Sequence, residues 1–360
     1  MKQILCLSHT PWQATPNRTQ QILSRMPDVQ ILFFEPPAPR GTPKPEQGRR
    51  MRSHITVYTL PASFPVGTVR RFSQRRSLSK IASFIQESMN KHRFRAPVLW
   101  CTAPEQVELL GRIPSGGVIY DCHEEWGEEY LDQESDLTSR ADVVFAASPG
   151  LVARLSPCSD NIALLPNGVN PLMFDRGEFS PPDRLAVLAN HVVLGRVGDL
   201  TGQTDLKPLL AAATAQKNWA FLLIGRVTKQ VRDTLSRCKN IILIGPVSAV
   251  ELPDYLSVCD LLFDLTQEDR RGCDILSPRI YEYLATGKPI VMMAEPDYVE
   301  PFPDAIYTAY DHTGFLRRCR KALEGEPEEL PKLRRTYADQ SAWAVRAAEV
   351  TRILEATGLF

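Results

Sequence analysis

Two stretches hold side chains whose types and spacing could do chemistry. In Val118-Ile-Tyr-Asp-Cys-His-Glu-Glu-Trp126 an apolar run delivers Asp121, His123 and Glu124 to the loop at its end. An imidazole flanked by carboxylates can move a proton or stabilise developing charge near neutral pH. Eight acids and no Lys or Arg fall between Asp121 and Asp136, a negative field that is expected to raise the pKa of His123. A histidine that only holds a backbone carbonyl at a strand end fits the same residues. The second stretch, Asp274-Ile-Leu-Ser-Pro-Arg-Ile-Tyr-Glu-Tyr-Leu-Ala-Thr-Gly-Lys288, reads as a short helix opening onto a ligand. Free amides and the dipole at a helix N-terminus favour an anion, and Arg279 in the first turn adds a cation. Glu282 could equally be the i,i+3 partner of Arg279 on an ordinary helix surface.

Further candidates stand at strand ends. Gly195-Arg196 and Gly225-Arg226 close two apolar runs, where glycine allows a close approach and arginine can reach a diphosphate. His9 follows the first apolar run and either faces a ligand or caps the strand.

The elements that must position these residues alternate in type. Strands are predicted at Lys2–Leu7, Val29–Phe34, Ile55–Leu60, Val98–Cys101, Val118–Tyr120 and Val143–Ala147, and a second series at His191–Val197, Trp219–Gly225, Asn240–Gly245, Leu261–Asp264 and Ile290–Met293, with an edge at Ala305–Tyr307. Helix-length segments between them predict α/β domains with mainly parallel sheets, whose ligands gather outside the carboxyl ends of the strands. Ser277 is the expected N-cap of the ligand-facing helix, Pro278 its first residue and Gly287 its left-handed stop. Ser248-Ala-Val-Glu251 is a capping box, and Asn167-Gly168 a turn. A single last helix is predicted over Tyr337–Gly358, with Trp343, Ala347, Val350 and Leu354 on one face.

At 360 residues the chain is long enough for two domains. Its 42 basic and 42 acidic residues cancel, which argues against nucleic acid as a partner. Eight scattered cysteines without a Cys-x-x-Cys suggest neither zinc nor disulfides and fit a reducing cytosol. No secretory signal and no spanning segment are expected. No Asp-x-Asp motif points to a metal, and no Gly-x-Gly-x-x-Gly to a redox nucleotide. Charge is local: between Arg40 and Arg95 there are thirteen Lys or Arg against only Glu46 and Glu87. Leu78, Ile81, Ala82, Ile85 and Met89 form a helical stripe beside Arg70, Arg71, Arg75 and Arg76, either a peripheral contact with anionic membrane or a surface helix packed on its own domain.

Three phrases together resemble the retaining glycosyltransferases of family 4, which have the two-domain GT-B fold. They are Tyr120-Asp-x-His-Glu124, Pro166-Asn-Gly-Val-Asn-x-x-x-Phe174, and acidic-x7-Glu followed by Tyr-Leu-Ala-x-Gly-Lys-Pro-Ile-Val over 274–291. The resemblance implies two Rossmann-like domains facing each other across a cleft: an acceptor-binding domain over 1–170, a nucleotide-sugar-binding domain over 171–335, and a C-terminal helix over 336–360 that crosses back to the first. By it Asp274 contacts the donor sugar, Ser277 and Arg279 hold the diphosphate with Arg196 and Arg226, Glu282 takes the ribose, and Val247 lies by the nucleobase. His123 would sit at the floor of the cleft with Asp121 and Glu124 positioning, and His9 on the acceptor side. The sequence departs from the family where Ile275-Leu276-Ser277 replaces Gly-Phe-Gly, where a Lys after Arg196 is missing, and in having no glycine before Gly41. The implied activity is metal-independent transfer of a hexose-type sugar from a nucleoside diphosphate sugar, a co-substrate with no further cofactor, to an acceptor hydroxyl. Bacterial glycan or glycolipid synthesis and a lipid-linked acceptor at the inner face of the membrane fit it. A sugar-nucleotide epimerase and a catalytically idle nucleotide-binding protein of the same fold stay open.

Overall fold

The apolar runs become strands buried on both faces, as Ile4, Leu5, Cys6 and Leu7 illustrate by being wholly inaccessible. A computed structural model describes residues 2–13, 16–39, 41–42, 46–65, 71–265 and 274–360, apart from the side chains of 71–74. The chain divides into one unit of Met1–Pro166 with Trp343–Phe360 and a second of Asn167–Ala342.

In the first unit, the described strands are β1 (Lys2–Leu7), β2 (Val29–Glu35), β3 (Arg49–Arg52), β4 (Ile55–Thr59), β5 (Val98–Cys101), β6 (Gly117–Cys122), β7 (Val143–Ala146) and β8 (Ile162–Leu164). They form one sheet in the order β3-β4-β2-β1-β5-β6-β7-β8, parallel except where β3 meets β4. β3 escaped the sequence reading because Arg49–Arg52 is basic at three of its four positions and shows no apolar alternation. Helices α1 (Arg18–Leu23), α2 (Arg71–Lys91), α3 (Leu131–Arg140) and α4 (Pro149–Leu155) connect the strands. An Asn17 to Gln20 capping box starts α1. The order reverses direction between β1 and β5, so the loops after β1, β5 and β6 emerge side by side.

The second unit carries β9 (Val192–Val197), α5 (Lys207–Ala215), β10 (Trp219–Ile224), α6 (Lys229–Leu235), β11 (Ile241–Gly245), α7 (Leu252–Ser257), β12 (Leu261–Asp264), α8 (Pro278–Thr286), β13 (Ile290–Met293), β14 (Tyr307–Ala309), α9 (His312–Leu323) and α10 (Glu329–Gln340). Its described strands are all parallel in the order β11-β10-β9-β12-β13-β14. The edge strand forms at Tyr307–Ala309, two residues beyond the expected start, because the Ala305 amide is used in a turn onto the Phe302 carbonyl. Gly225, at φ 144°, is required where the β9 and β10 loops meet, since a Cβ there would overlap the Gly198 carbonyl oxygen.

Two expectations are corrected, and one of two open readings is selected. The last helix is two helices, α10 and α11 (Trp343–Ala356), because the Ser341 carbonyl accepts from the Val169 amide at 3.1 Å and Ala342 bridges to Val169. Asn167-Gly168 makes no left-handed turn among the positive-φ residues; Asn167 Nδ2 instead donates to the Leu276 carbonyl at 2.9 Å. The stripe on α2 is spent inside the first unit, with Leu78, Ile81, Ala82, Ile85 and Met89 all buried. Arg75 and Arg76 are exposed, whereas Arg40, Lys44, Arg70 and the side chain of Arg71 lie outside the described residues, as does Cys273. α11 packs on α1 and buries Trp343, Ala347, Val350 and Leu354 against Ile22, Leu23 and Phe33. No described helix is long and apolar enough to cross a membrane.

Candidate functional site

The first unit gathers His9, Asp121, His123 and Glu124 because β1, β5 and β6 are sheet neighbours and their carboxyl ends share one edge. The His9 and His123 rings lie 5.3 Å apart, and Trp126 stands edge-on to His9 at 5.6 Å. His9 Nδ1 is 2.8 Å from Thr102 Oγ1 and its Nε2 is 3.2 Å from Glu124 Oε1. His123 Nδ1 is 2.9 Å from the Asp121 carbonyl oxygen. A carbonyl only accepts, so Nδ1 carries the proton and Nε2 of the neutral ring presents a lone pair.

The expected rise in the His123 pKa is overturned. Its side chain is only 11% exposed, and burial lowers its pKa more than Asp121 and Glu124 raise it. Asp121 is wholly buried and already paired, accepting from Arg18 Nε at 3.0 Å, and the Arg18 charge itself pushes His123 down. The acids counted in sequence are partly spent elsewhere: Glu134 takes Arg154 and the Tyr120 hydroxyl. Near neutral pH the site therefore offers a neutral imidazole that can accept a hydroxyl proton, next to a His9–Glu124 pair.

His9, His123 and Glu124 each present one ligand atom within 4.8 Å of the others, a set that could hold a cation. The 3.2 Å edge between His9 and Glu124 fits two bonds of about 2.1 Å to one ion, and it is also an ordinary histidine–carboxylate hydrogen bond.

The second unit gathers the other candidates around α8. Ser277 caps it through Oγ, which accepts from the Arg279 amide at 3.3 Å, Pro278 stands first, and Gly287 ends it at φ 73°. Arg279 pairs with Glu282, whose burial raises its pKa more than Arg279 lowers it. Tyr283, one residue on, accepts at Oη from the Val197 amide at 2.7 Å and so ties the end of β9 to the helix. Beside it, buried Arg196 donates from Nε to Asp264 Oδ1 at 3.1 Å and from Nη1 to the Gly198 carbonyl at 2.9 Å. Arg226 is the opposite case, exposed and paired with Asp199, which also feels Arg279. Val247 is partly buried against the core just after β11, and Asp274 is half-buried before the cap.

Sequence reasoning missed Arg18, Thr102, Asp199, Asp264 and Tyr283. For Arg18 the signal was there: Asn17-x-x-Gln20 is a capping pattern that puts Arg18 on the first helical turn after β1, at the ligand-binding edge of the sheet. Asp264 could have been found as the acid that ends β12, the strand beside Arg196.

No family model matches the chain. A Bacillus subtilis (strain 168) protein described provisionally as the teichuronic acid biosynthesis glycosyltransferase TuaH is 24% identical over a 359-residue alignment that covers 91% of this chain and 89% of that one. Among solved structures, the sucrose-phosphate synthase of Thermosynechococcus elongatus is similar with a TM-score of 0.78 at 15% identity, covering 99% of this chain and 98% of that one. An E. coli trehalose-6-phosphate structure bound with UDP-2-fluoro glucose gives 0.75 at 11% identity, covering 98% and 99%. Anabaena Alr3699/HepE in complex with UDP and glucose gives 0.71 at 13% identity, covering 99% and 100%. The chain has the α/β fold of GT-B glycosyltransferases over nearly its whole length.

Proposed function

We propose that the chain is a retaining, metal-independent glycosyltransferase that moves a hexose-type sugar from a UDP-sugar to an acceptor hydroxyl. The observation that carries this reading is the Ser277-capped start of α8, where the positive end of the helix dipole, Arg279 and a deeply set Glu282 share one turn. The helix dipole and Arg279 suit a diphosphate, and Glu282 suits the ribose hydroxyls. Asp274 would meet the sugar, Arg196 and Arg226 the phosphates, and Val247 the base. The second unit, Asn167–Ala342, would thus hold the donor, and the first, Met1–Pro166 with Trp343–Phe360, the acceptor. His123 Nε2 is the group suited to the acceptor or sugar hydroxyl, with Asp121 and Glu124 positioning and His9 on the acceptor side. The similarity to TuaH and to structures bound to UDP and UDP-2-fluoro glucose supports the donor and a role in bacterial glycan synthesis.

A lipid-linked acceptor and a place at the cytoplasmic face of the membrane belong to the same proposal. With the α2 stripe buried, the contact would be electrostatic, through Arg75 and Arg76 with Arg70 and Arg71. Salt-sensitive sedimentation with anionic vesicles, lost when these four become Gln, is the outcome it requires.

An idle binding protein of the same fold has one observation in its favour: Arg196 and Arg279 are already paired, to Asp264 and Glu282. Screening UDP-sugars for slow hydrolysis separates the two readings. Release of UDP from one donor supports the transferase, while UDP binding without release from any donor selects the idle protein.

A further inference from the structure

The first unit buries an arginine whose hydrogen bonding is incomplete. Arg18 has 3% of its side chain exposed, and its Nε donates to Asp121 Oδ1. Among the described residues its Nη1 and Nη2, both buried, have no hydrogen-bond partner. A second fully buried guanidinium of the chain is closed. Arg334, with a fully inaccessible side chain, donates from Nε to the Ala305 carbonyl at 2.8 Å and from both Nη atoms to Glu326 at 2.6 Å. Leaving a buried charged donor unsatisfied costs its desolvation without return, which is tolerated where a ligand completes it.

The surroundings of Arg18 point to where that ligand comes from. Asp121 Oδ1 accepts from Arg18, and its Oδ2 lies 3.8 Å from His123 Nδ1, so one carboxylate stands between the guanidinium and the imidazole. Side-chain exposure falls along the linked residues, from 44% at Glu124 and 14% at His9 to 11% at His123 and 3% at Arg18. The order of exposure sets His123, and then the unpaired edge of Arg18, behind Glu124 and His9. Two N–H groups in a planar fork match a phosphoryl or carboxylate group bidentately.

We propose that Arg18 seats an anionic group, a phosphoryl or carboxylate, of a substrate that reaches His123. Assigning that group to a transfer substrate rests on the glycosyltransferase reading; the seat itself rests on the geometry of the first unit. Its phosphoryl form has two sources, a phosphate on the acceptor or the diphosphate of the donor. Calorimetry on the full chain distinguishes them, using inorganic pyrophosphate added to UDP-saturated protein and UDP added alone, for wild type, Arg18→Gln and Arg18→Lys. An acceptor seat gives pyrophosphate binding to the UDP-saturated wild type that weakens by about tenfold or more in Arg18→Gln. A donor seat gives no such second binding but weakens UDP itself by a similar factor. Titrations of both probes that match between wild type and Arg18→Gln overturn the proposal. If Arg18→Gln fails to fold, Arg18→Lys, which keeps the charge beside Asp121 and loses the fork, is held to the same criterion. Absence of UDP-sugar turnover in the wild type would remove the transfer reading and leave the result of this titration intact.

Discussion

Arg279 Nη1 lies 2.9 Å from both carboxylate oxygens of Glu282, one turn along α8. Arg279 is a third exposed and Glu282 only 16% exposed, so the carboxylate, not the cation, is the member set into the protein. That inverts an ordinary surface pair, in which both ends are solvated and the contact is worth little.

Replacing Glu282 by Gln keeps the shape and one oxygen for Arg279 while removing a charged acceptor. Hydrogen bonds to charged groups are worth about 1.5–3 kcal/mol, so UDP affinity is expected to fall by roughly 10- to 100-fold. The melting temperature should barely move, because the lost attraction is offset by a smaller desolvation cost. Unchanged UDP binding by calorimetry would reduce Glu282 to the partner of Arg279.

Tyr283 offers a different test, because its hydroxyl serves the backbone. Tyr283→Phe leaves the Val197 amide buried and without its 2.7 Å acceptor. A loss of about 1–3 kcal/mol is expected in denaturant unfolding. The same change frees the end of β9, which carries Arg196, so UDP affinity should weaken as well. A stable variant that binds UDP normally would show that the Tyr283 bond positions nothing.

The His123 pKa has a consequence for stability. Burial puts the folded value below the ordinary ~6.5, so below that pH the unfolded chain takes up a proton that the folded chain refuses. The contribution is intact above the ordinary value and is lost as the pH falls from there through the folded pKa, at up to about 1.4 kcal/mol per pH unit. Urea unfolding between roughly pH 7.5 and 5 should therefore show a steeper loss in wild type than in His123→Asn. Parallel profiles would contradict the lowered pKa.

Much of this was legible along the chain, and the exceptions share a cause. α8 carried its own cap, proline start and glycine stop within eleven residues, Ser277 to Gly287, so local rules sufficed to place it. Most strands of both sheets were apolar runs of the right length, and the strand series predicted where loops would converge. Long-range partners were not legible. The break between α10 and α11 is made by Val169, some 170 residues earlier in the chain, and the helical period of Trp343 and its companions continues through it. Counting acids predicted the wrong sign for His123 because sequence shows charge but not burial, nor the Arg18 that neutralises Asp121. The α2 stripe had the same ambiguity, since a face for a core and a face for a membrane are written with the same residues.

The most direct measurement is turnover by His123→Ala with whichever UDP-sugar the wild type hydrolyses, set beside UDP affinity in the same preparation. A group that acts on the reacting atoms is felt in the transition state more than in nucleotide binding. Turnover is expected to fall by roughly 10²-fold or more with UDP affinity unchanged. Near-normal turnover in a folded His123→Ala protein would contradict the account and return His123 to the role of a histidine that merely holds the Asp121 carbonyl.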